Sequence, residues 1–222
     1  MFERTIQLVG EEAFERLQRT RVILFGAGGV GGWCAEALVR TGVGKLTIVD
    51  FDTVAPSNLN RQIVATQDTL GKPKAEALAE RLRKICPAAE IQALNARYTA
   101  ETAEDFHLEA YDYVIDAIDQ VEDKMDLILR ATQTEGVTLL SSMGAGRKVD
   151  TTQIRVAEFG KVEGCPLARA LRTKMRKAKV WPARKFRCVY SPELSGERGT
   201  IAPVVGVFGM TLADLVVKDL VH

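Results

Sequence analysis

A glycine-rich segment near the start of the chain limits the folds that this sequence can adopt. Gly26-Ala-Gly28-Gly29-Val-Gly31 follows the apolar run Arg21-Val-Ile-Leu-Phe25 and precedes a segment, Gly32 to Arg40, with helical spacing of apolar residues. Lys45-Leu-Thr-Ile-Val-Asp50 then resembles a second buried strand. A strand, a glycine turn, a helix and a strand in this order form a right-handed crossover in a parallel sheet. The pattern therefore predicts a Rossmann-like α/β fold.

The remainder of the chain extends this prediction. Further strands are expected over Glu90–Ala96, Tyr111–Asp116 and Val137–Ser142, and helices over Lys72–Ile85 and from about Asp123 to Glu135. This alternation is typical of a doubly wound, mainly parallel sheet. After Gly146 we expect an irregular section: a half-exposed strand over Thr152–Phe159, a basic helix from Pro166, a strand over Lys185–Ser191 and a final helix after Pro203.

Composition favours a soluble globular protein, since 46% of residues are hydrophobic and 27% are charged. We expect one domain over residues 1–222, with a nucleotide-binding core at 1–146 and a substrate and dimer section at 147–222. The longest apolar stretch, Pro203 to Val217, includes Asp214 and is shorter than the roughly 20 residues of a membrane span. The scattered cysteines predict a cytoplasmic location, and the helical pattern still running at His222 suggests that residues are missing after it.

The glycine segment is suited to a phosphate group. Glycines let backbone N–H groups approach an anion closely, and the following helix contributes its positive N-terminus. Asp50 ends the next strand, 19 residues after Gly31, where a carboxylate can bind ribose hydroxyls. These residues predict a nucleotide site, but alone they fit a dinucleotide as readily as ATP. The alternative is that the glycines only permit tight packing of helix and strand.

Residues further along favour ATP. Asn58, Arg61 and Lys74 are suited to a triphosphate, and Asp119 is suited to Mg²⁺, which carboxylates and phosphates commonly hold together. The sequence offers no well-placed histidine for hydride transfer. Each residue also has a simpler interpretation: Asn58 as a turn former, and Arg61 and Lys74 as solvated surface charges. Asp116, at a strand end, is expected to brace that strand rather than to bind metal.

These motifs resemble the ubiquitin-activating-enzyme-like superfamily, which includes the activators of molybdopterin synthase and of the thiamine-thiazole sulfur carrier. The matching segments are residues 26–31, Ile48–Asp52, Ser57–Gln62, Gly71–Glu76 and Asp116–Asp119. The resemblance implies an AMP-forming enzyme that uses ATP and Mg²⁺ to adenylate a carboxylate. It implies that the phosphates are bound by Gly26, Gly28, Gly29 and Gly31 together with Asn58, Arg61 and Lys74, and that Asp50 and Asp52 also bind the nucleotide. Mg²⁺ is assigned to Asp119. The catalytic residues would be Arg61, Lys74 and Asp119.

Later motifs resemble the bacterial tRNA threonylcarbamoyladenosine dehydratase branch. They are Ser141–Gly146, Asp150–Ile154, Pro166–Ala168, Cys188–Glu193 and Gly199–Gly209. The branch implies activation of the threonylcarbamoyl carboxylate on a tRNA adenosine and its closure to a cyclic form. The sequence departs from the pattern at Ser141-Ser142, Thr151 and Cys165. The resemblance to the superfamily also implies that the protein forms a homodimer and that it has a sulfur-transfer or cysteine-desulfurase partner.

Two alternatives to this reaction stay open. The first is an activator of a ubiquitin-like sulfur-carrier protein, although such activators generally carry two Cys-x-x-Cys pairs, which this chain lacks. The second is a nucleotide-binding module without chemistry. A module that only binds has no evident need for Mg²⁺ and for the cations at positions 58–74.

A basic segment suggests contact with RNA. Nine basic residues and no acidic residue lie between Arg169 and Arg187, and without them the net charge of +1 becomes −8. In the predicted helix, Arg169, Arg172, Arg176 and Lys179 share a face that can follow phosphates, and Trp181 can stack on a base. The alternative is a solvated helix face with Trp181 in the core.

Two cysteines are candidates for a functional thiol. In ubiquitin-type activators a cysteine can accept the acyl group or sulfur, and Cys165 and Cys188 are the candidates here. Each would need a favoured thiolate, which nearby cations can provide. Cys188 falls within a predicted strand, where a buried structural thiol is the alternative.

Overall fold

Seven strands form one sheet in the order β3-β2-β1-β4-β5-β7-β6. The computed structural model describes residues 1–194 and 198–221. Neighbouring strands are parallel except β6, which runs antiparallel to β7. The strands are β1 (Arg21–Phe25), β2 (Lys45–Val49), β3 (Glu90–Leu94), β4 (Tyr113–Asp116), β5 (Thr138–Ser142), β6 (Arg155–Glu158) and β7 (Arg187–Tyr190). The predicted doubly wound α/β fold is confirmed.

Helices cover both faces of this sheet. They are α1 (Glu3–Val9), α2 (Glu11–Arg19), α3 (Gly29–Thr41), α4 (Lys74–Ile85), α5 (Val121–Gln133), α6 (Pro166–Ala178) and α7 (Ala202–Val221). One apolar core lies beneath α2, α3, α4 and α7, and a second lies beneath α5 and α6. Because successive strands bury residues on both faces, they read in the sequence as continuous apolar runs.

The order of the strands creates the position for a site. The chain builds outward from β1 to β2 and β3, and then returns to place β4 on the other side of β1. In such sheets the loops at the carboxyl ends of the two central strands diverge, and ligands bind in the crevice between them. The glycine segment follows β1 at this edge, and residues 117–120 follow β4 at the same edge.

Several predicted boundaries move inward. The helix expected from Lys72 begins at Lys74, because residues 71–73 form a turn that bridges back to Thr53. The strand expected over 152–159 is only Arg155–Glu158, since Asp150 caps a 3-10 turn over Thr151–Gln153. As the edge of the sheet, β6 leaves Val156 exposed. Helices α1 and α2 were not predicted.

The final helix is apolar along much of its length but packs within the protein. Helix α7 buries Val204, Phe208, Leu212 and Val216 against the first core. No helix in the described ranges has the length and apolarity needed to cross a bilayer.

Candidate functional site

A cavity of about 550 Å³ lies at the carboxyl ends of β1, β2, β4 and β5. The start of α7 contributes Val205 to its wall, and the start of α6 contributes Leu167. Most of the residues predicted for the nucleotide site line this cavity: Gly26, Gly28, Gly29, Asp50, Asp52, Asn58, Arg61, Lys74 and Asp119. The fold therefore brings together residues that are up to 93 positions apart in the sequence.

Gly31 does not line the cavity, so its predicted contact with phosphate is not supported. A Cβ atom at Gly31 would lie 1.8 Å from the backbone oxygen of Gly26. No side chain fits at that distance, so Gly31 allows α3 to pack directly beneath the glycine segment. Close packing also requires glycine at position 26, where a Cβ would lie 2.7 Å from the backbone oxygen of Ala117, although Gly26 lines the cavity as well.

Asp50 is almost fully buried between the glycine segment and the end of β2. Its carboxylate accepts hydrogen bonds from the backbone N–H of Ala27 at 2.6 Å and of Asp52 at 2.8 Å. Burial raises the pKa of Asp50, and these two hydrogen bonds oppose that shift. Each carboxylate oxygen keeps a further lone pair, so the group can still accept a hydroxyl from a ligand.

The three polar residues predicted to hold phosphates also have partners within the protein. The Lys74 ammonium is buried and donates to Asp52 at 2.7 Å. The Arg61 guanidinium donates to the backbone oxygen of Ser57 at 2.8 Å, which fixes it at the wall of the cavity. The Asn58 carbonyl oxygen accepts from the N–H of Ala55 at 3.0 Å, so Asn58 forms a turn and also lines the cavity.

The two aspartates that follow β4 differ in environment. Asp119 is exposed at the cavity and has no hydrogen-bond or ion-pair partner in the portion of the chain that the structure describes. Asp116 is fully buried, where it pairs with the Lys124 ammonium at 2.7 Å and accepts from the Ser141 hydroxyl at 2.6 Å. Asp116 therefore braces the strand end, as predicted, and Asp119 is the carboxylate open to a ligand.

Comparison with known proteins places this geometry in a family. A sequence model described as the ThiF family matches residues 2–222. The chain belongs to the ThiF family. Among curated proteins of similar sequence, tRNA threonylcarbamoyladenosine dehydratase of Bacillus subtilis is 41% identical over 176 residues, covering 79% of this chain and 69% of that protein. The Escherichia coli protein of the same name is 39% identical over 175 residues, 79% of this chain and 65% of that protein. The chain thus spans about two thirds of each.

A solved structure extends the similarity to nearly the whole chain. The crystal structure of E. coli tRNA N6-threonylcarbamoyladenosine dehydratase in complex with ATP superposes with a TM-score of 0.92 at 35% identity. The match covers 99% of this chain and 93% of that one. A relative with another acceptor, the molybdopterin-synthase adenylyltransferase of Salmonella typhimurium, is 32% identical over 95% of this chain and 77% of that protein.

Sequence reasoning missed a polar group that closes the ThiF-family cavity on the β3 side. The Arg97 guanidinium lies over the Phe51 ring at 5.3 Å and pairs with Asp123 at 3.0 Å. The same guanidinium donates to the side chain of Gln120. Arg97 follows β3 and Asp123 lies in the first turn of α5, so no short motif contains both residues. Only the order of the strands in the sheet, which the sequence does not state directly, indicates that Arg97 and Asp123 lie at the same edge of the sheet.

Neither candidate thiol lines the cavity. Cys188 is fully buried in β7, and burial raises the pKa of its thiol, which supports the structural interpretation. Cys165 is also buried, immediately before α6, with its sulfur 4.0 Å from the position that a Cβ on Gly144 would occupy. Because Gly144 lines the cavity, Cys165 lies behind its wall rather than in it.

The predicted basic stripe differs from the observed surface. Arg172 turns inward and donates to the backbone oxygens of Phe159 at 3.1 Å and Val162 at 2.8 Å, so it is not on the outer face. Lys179 follows the last turn of α6 with a left-handed backbone, φ 54°. Trp181 is 50% exposed and contacts Phe159, so it lies at the surface rather than in the core.

Proposed function

We propose that this ThiF-family chain uses ATP to adenylate the carboxylate of the threonylcarbamoyl group on a tRNA adenosine, and so promotes its closure to the cyclic dehydrated form. The observation that carries this proposal is the cavity that brings together the glycine segment, Arg61, Lys74 and Asp119, whose carboxylate has no partner among the described residues. The names of the most similar relatives and the ATP complex of a structure with the same fold support it.

The positions of the residues suggest how ATP would lie. The N–H groups around Gly28 and Gly29 open α3, whose N-terminus attracts phosphate oxygens. Asp50 would accept the ribose hydroxyls from the end of β2. Lys74 and Arg61 would then neutralise the phosphates, and Asn58 would offer its amide N–H₂ group. The base would occupy the end of the cavity near Phe51 and Arg97.

The residues present fit Mg²⁺. Mg²⁺ in such sites is held by one or two carboxylates and by substrate phosphates, and Asp119 offers a free carboxylate facing the cavity. Over residues 1–194 and 198–221 there is no group of three or more His, Cys, Asp or Glu side chains that would hold a metal alone. The ion, when bound with ATP, would neutralise charge on the phosphates.

The chemistry then needs no nucleophile from the protein. The substrate carboxylate attacks the α-phosphate of ATP, an O–P bond forms, and the bond to pyrophosphate breaks. A carbamoyl oxygen or nitrogen of the same threonylcarbamoyl group then attacks the activated carbonyl and loses its proton to solvent. The new bond closes the ring, and the bond to AMP breaks. Arg61 and Lys74 would stabilise the charge that develops on the phosphates, in a position already fixed by their own partners.

Finer features of the proposal rest on resemblance. We infer a homodimer and a C-terminal section, residues 147–222, that faces the acceptor; the start of α6 at the cavity is consistent with the second point. A cytoplasmic location and a sulfur-transfer partner stay predictions. Buried Cys165 and Cys188 give no support to sulfur transfer.

Exchange of labelled pyrophosphate into ATP tests the reaction. We expect exchange that depends on tRNA carrying threonylcarbamoyladenosine and not on unmodified tRNA. Exchange that depends instead on a carrier protein with a diglycine tail would assign the chain to sulfur-carrier activation, and no exchange with either would leave a nucleotide-binding module.

Two substitutions test the roles of individual residues. Arg61→Ala and Asp119→Ala should each reduce the exchange rate at least 100-fold, because charge-stabilising groups typically contribute factors of about 10²–10³. Arg4→Ala and Asp105→Ala, which remove exposed charges at positions that do not line the cavity, are the matched controls. Near-native exchange in either cavity variant would refute the role assigned to that residue.

A further inference from the structure

The structure separates the nine basic residues of the segment 169–187 into two groups. Five of them are engaged within the protein. Arg172 and Arg184 donate to backbone carbonyl oxygens, Arg184 at the C-terminal end of α5. The other three form ion pairs with acidic residues of neighbouring elements: Lys174 with Glu122, Lys185 with Glu158, and Arg187 with Asp219. These five charges are each hydrogen-bonded or neutralised within the protein, although the Lys185 side chain is 81% exposed.

The remaining four, Arg169, Arg176, Lys177 and Lys179, are all exposed. Within the described ranges none of them pairs with a carboxylate, and Arg176 makes only a long hydrogen bond of 3.4 Å to the backbone of Arg172. Four unneutralised cations in 11 consecutive positions are a concentrated charge in a chain whose remainder is acidic. We call this group the free-cation surface.

The free-cation surface lies along one side of α6. At 100° per residue, Arg169, Arg176 and Lys177 lie on one side of the helix, opposite buried Leu171, and Lys179 follows at its C-terminal end. Leu167, on the opposite side of the first turn, lines the cavity, so the surface and the cavity share this helix. The 13 residues of α6 extend about 20 Å.

An aromatic side chain completes this surface. Trp181 follows Lys179 by two residues and is 50% exposed, with its ring centroid 5.8 Å from that of Phe159. A half-exposed indole supported from behind can stack on a base, and stacking beside cations is typical of single-stranded nucleic-acid sites. No acidic residue occurs between Pro166 and Arg187 in the sequence, and the carboxylates that approach this segment, Glu122 and Glu158, are paired with Lys174 and Lys185.

We propose that the free-cation surface and Trp181 together dock the backbone of an RNA, with the acceptor nucleotide held in the cavity. The identity of this RNA as tRNA rests on the proposed function. A membrane surface fits less well, because an interfacial helix must insert an apolar face, and the apolar face of α6 is already buried through Ala168, Leu171 and Met175.

Binding of tRNA without ATP tests the surface apart from the reaction. A variant with alanine at Arg169, Arg176, Lys177 and Lys179 should bind tRNA at least tenfold more weakly than the wild type. The slope of log affinity against log salt should fall by about 3, since each phosphate contact contributes roughly 0.7–0.9. The control removes the same number of exposed cations from other elements: Arg4, Arg19, Lys84 and Lys218. Circular dichroism would verify folding of both variants.

Trp181 gives an independent readout. Trp181→Ala should weaken tRNA binding about tenfold, and Trp181→Phe should restore most of it, because stacking needs only an aromatic face. Quenching of tryptophan fluorescence by tRNA should be smaller in Trp181→Phe than in the wild type, leaving only the contribution of Trp33.

The outcomes separate the surface from the reaction. Wild-type affinity and salt slope in the quadruple variant would overturn the docking proposal, even if exchange with modified tRNA succeeds. If the quadruple variant lost binding to phosphatidylserine vesicles while its tRNA binding was unchanged, the docking proposal would be overturned and the surface would be a membrane-binding one. Loss of tRNA binding in that variant would support docking, even if the wild type shows no pyrophosphate exchange.

Discussion

The buried pair Asp116–Lys124 shows how single residues support the cavity from below. Both side chains are fully buried, and Lys124 also donates to the backbone oxygen of Ile118 at 3.0 Å. Asp116 accepts from the N–H of Ile118 at 3.1 Å. The pair therefore fixes the chain between β4 and α5, from which Asp119 faces the cavity. Burying two charges is costly, so the pair is better understood as a positioning device than as a source of stability.

Removing one member of this pair should be strongly destabilising. Lys124→Met leaves the Asp116 carboxylate buried without a counter-charge, and we expect a loss of about 3–5 kcal/mol in the free energy of unfolding. The double variant Asp116→Asn, Lys124→Met should recover part of that loss. Urea denaturation measures both. A Lys124→Met variant as stable as the wild type would show that the buried carboxylate does not depend on this ammonium.

Asp50 should make stability depend on pH. Burial raises its pKa in the folded protein above the ordinary value of 3.8. Between 3.8 and the raised value the folded protein binds more protons than the unfolded chain, so stability falls as the pH rises through this window. Relative to Asp50→Asn, the wild type should lose stability as the pH rises above about 4. Urea denaturation at each pH measures this difference, and a constant difference would contradict the burial cost.

At the scale of elements, the contact of α3 with α7 sets the wall of the cavity. Gly209 brings the two helices close together, since a Cβ there would lie 2.4 Å from the backbone oxygen of Val30. One turn earlier, a Cβ on Gly206 would fit, because its nearest neighbour, the Trp33 ring, lies at an ordinary contact distance of 3.9 Å. Val205, which precedes Gly206 in the first turn of α7, would meet a Cβ on Gly29 at 3.2 Å. Helix α7 therefore holds the glycine segment in place.

Two glycines of the same helix should respond in opposite directions. Gly209→Ala should lower the free energy of unfolding by about 1–3 kcal/mol, because the added methyl group forces α3 and α7 apart. Gly206→Ala should be neutral or stabilise by up to about 1 kcal/mol, because alanine is the better helix former. Thermal unfolding of the two variants measures this, and equal effects would contradict the close contact at position 209.

The residues that follow β1 and β2 at the cavity could be predicted from the sequence, whereas those that follow β3 and begin α5 could not. The glycine segment, Asp50 and residues 57–62 follow strands β1 and β2 directly, so their proximity follows from one crossover unit. Arg97 and Asp123 meet only because β3 and β4 lie on either side of the β2–β1 pair. Helical spacing predicted Arg172 on the outer face of α6. The spacing gives the direction in which the Cα–Cβ bond points, but it does not give the contacts that a long side chain makes.

At the scale of the whole molecule, ATP binding should stabilise the fold. A ligand at 100 times its Kd stabilises the folded state by about 2.7 kcal/mol, which for a chain of this size raises the Tm by roughly 5–10 °C. Lys74→Ala should reduce this shift at the same ATP concentration. Arg21→Ala, which breaks the pair with Asp112 at the opposite end of β1, should keep the full shift. A full shift in Lys74→Ala would exclude Lys74 from the phosphate site.

By itself the sequence determined the fold class and most of the polar residues that line the cavity, because strand, glycine turn and helix are local patterns and the fold's handedness allows few arrangements of them. Tertiary structure alone decided which charges are free. Arg172 and Arg169 carry the same charge in one helix, and only packing turns Arg172 inward and leaves Arg169 exposed. Likewise, packing buries Lys124 against Asp116 beneath the strand end and places Lys74 at the cavity. A side chain's availability depends on what the neighbouring elements place against it, and those neighbours are distant in the chain.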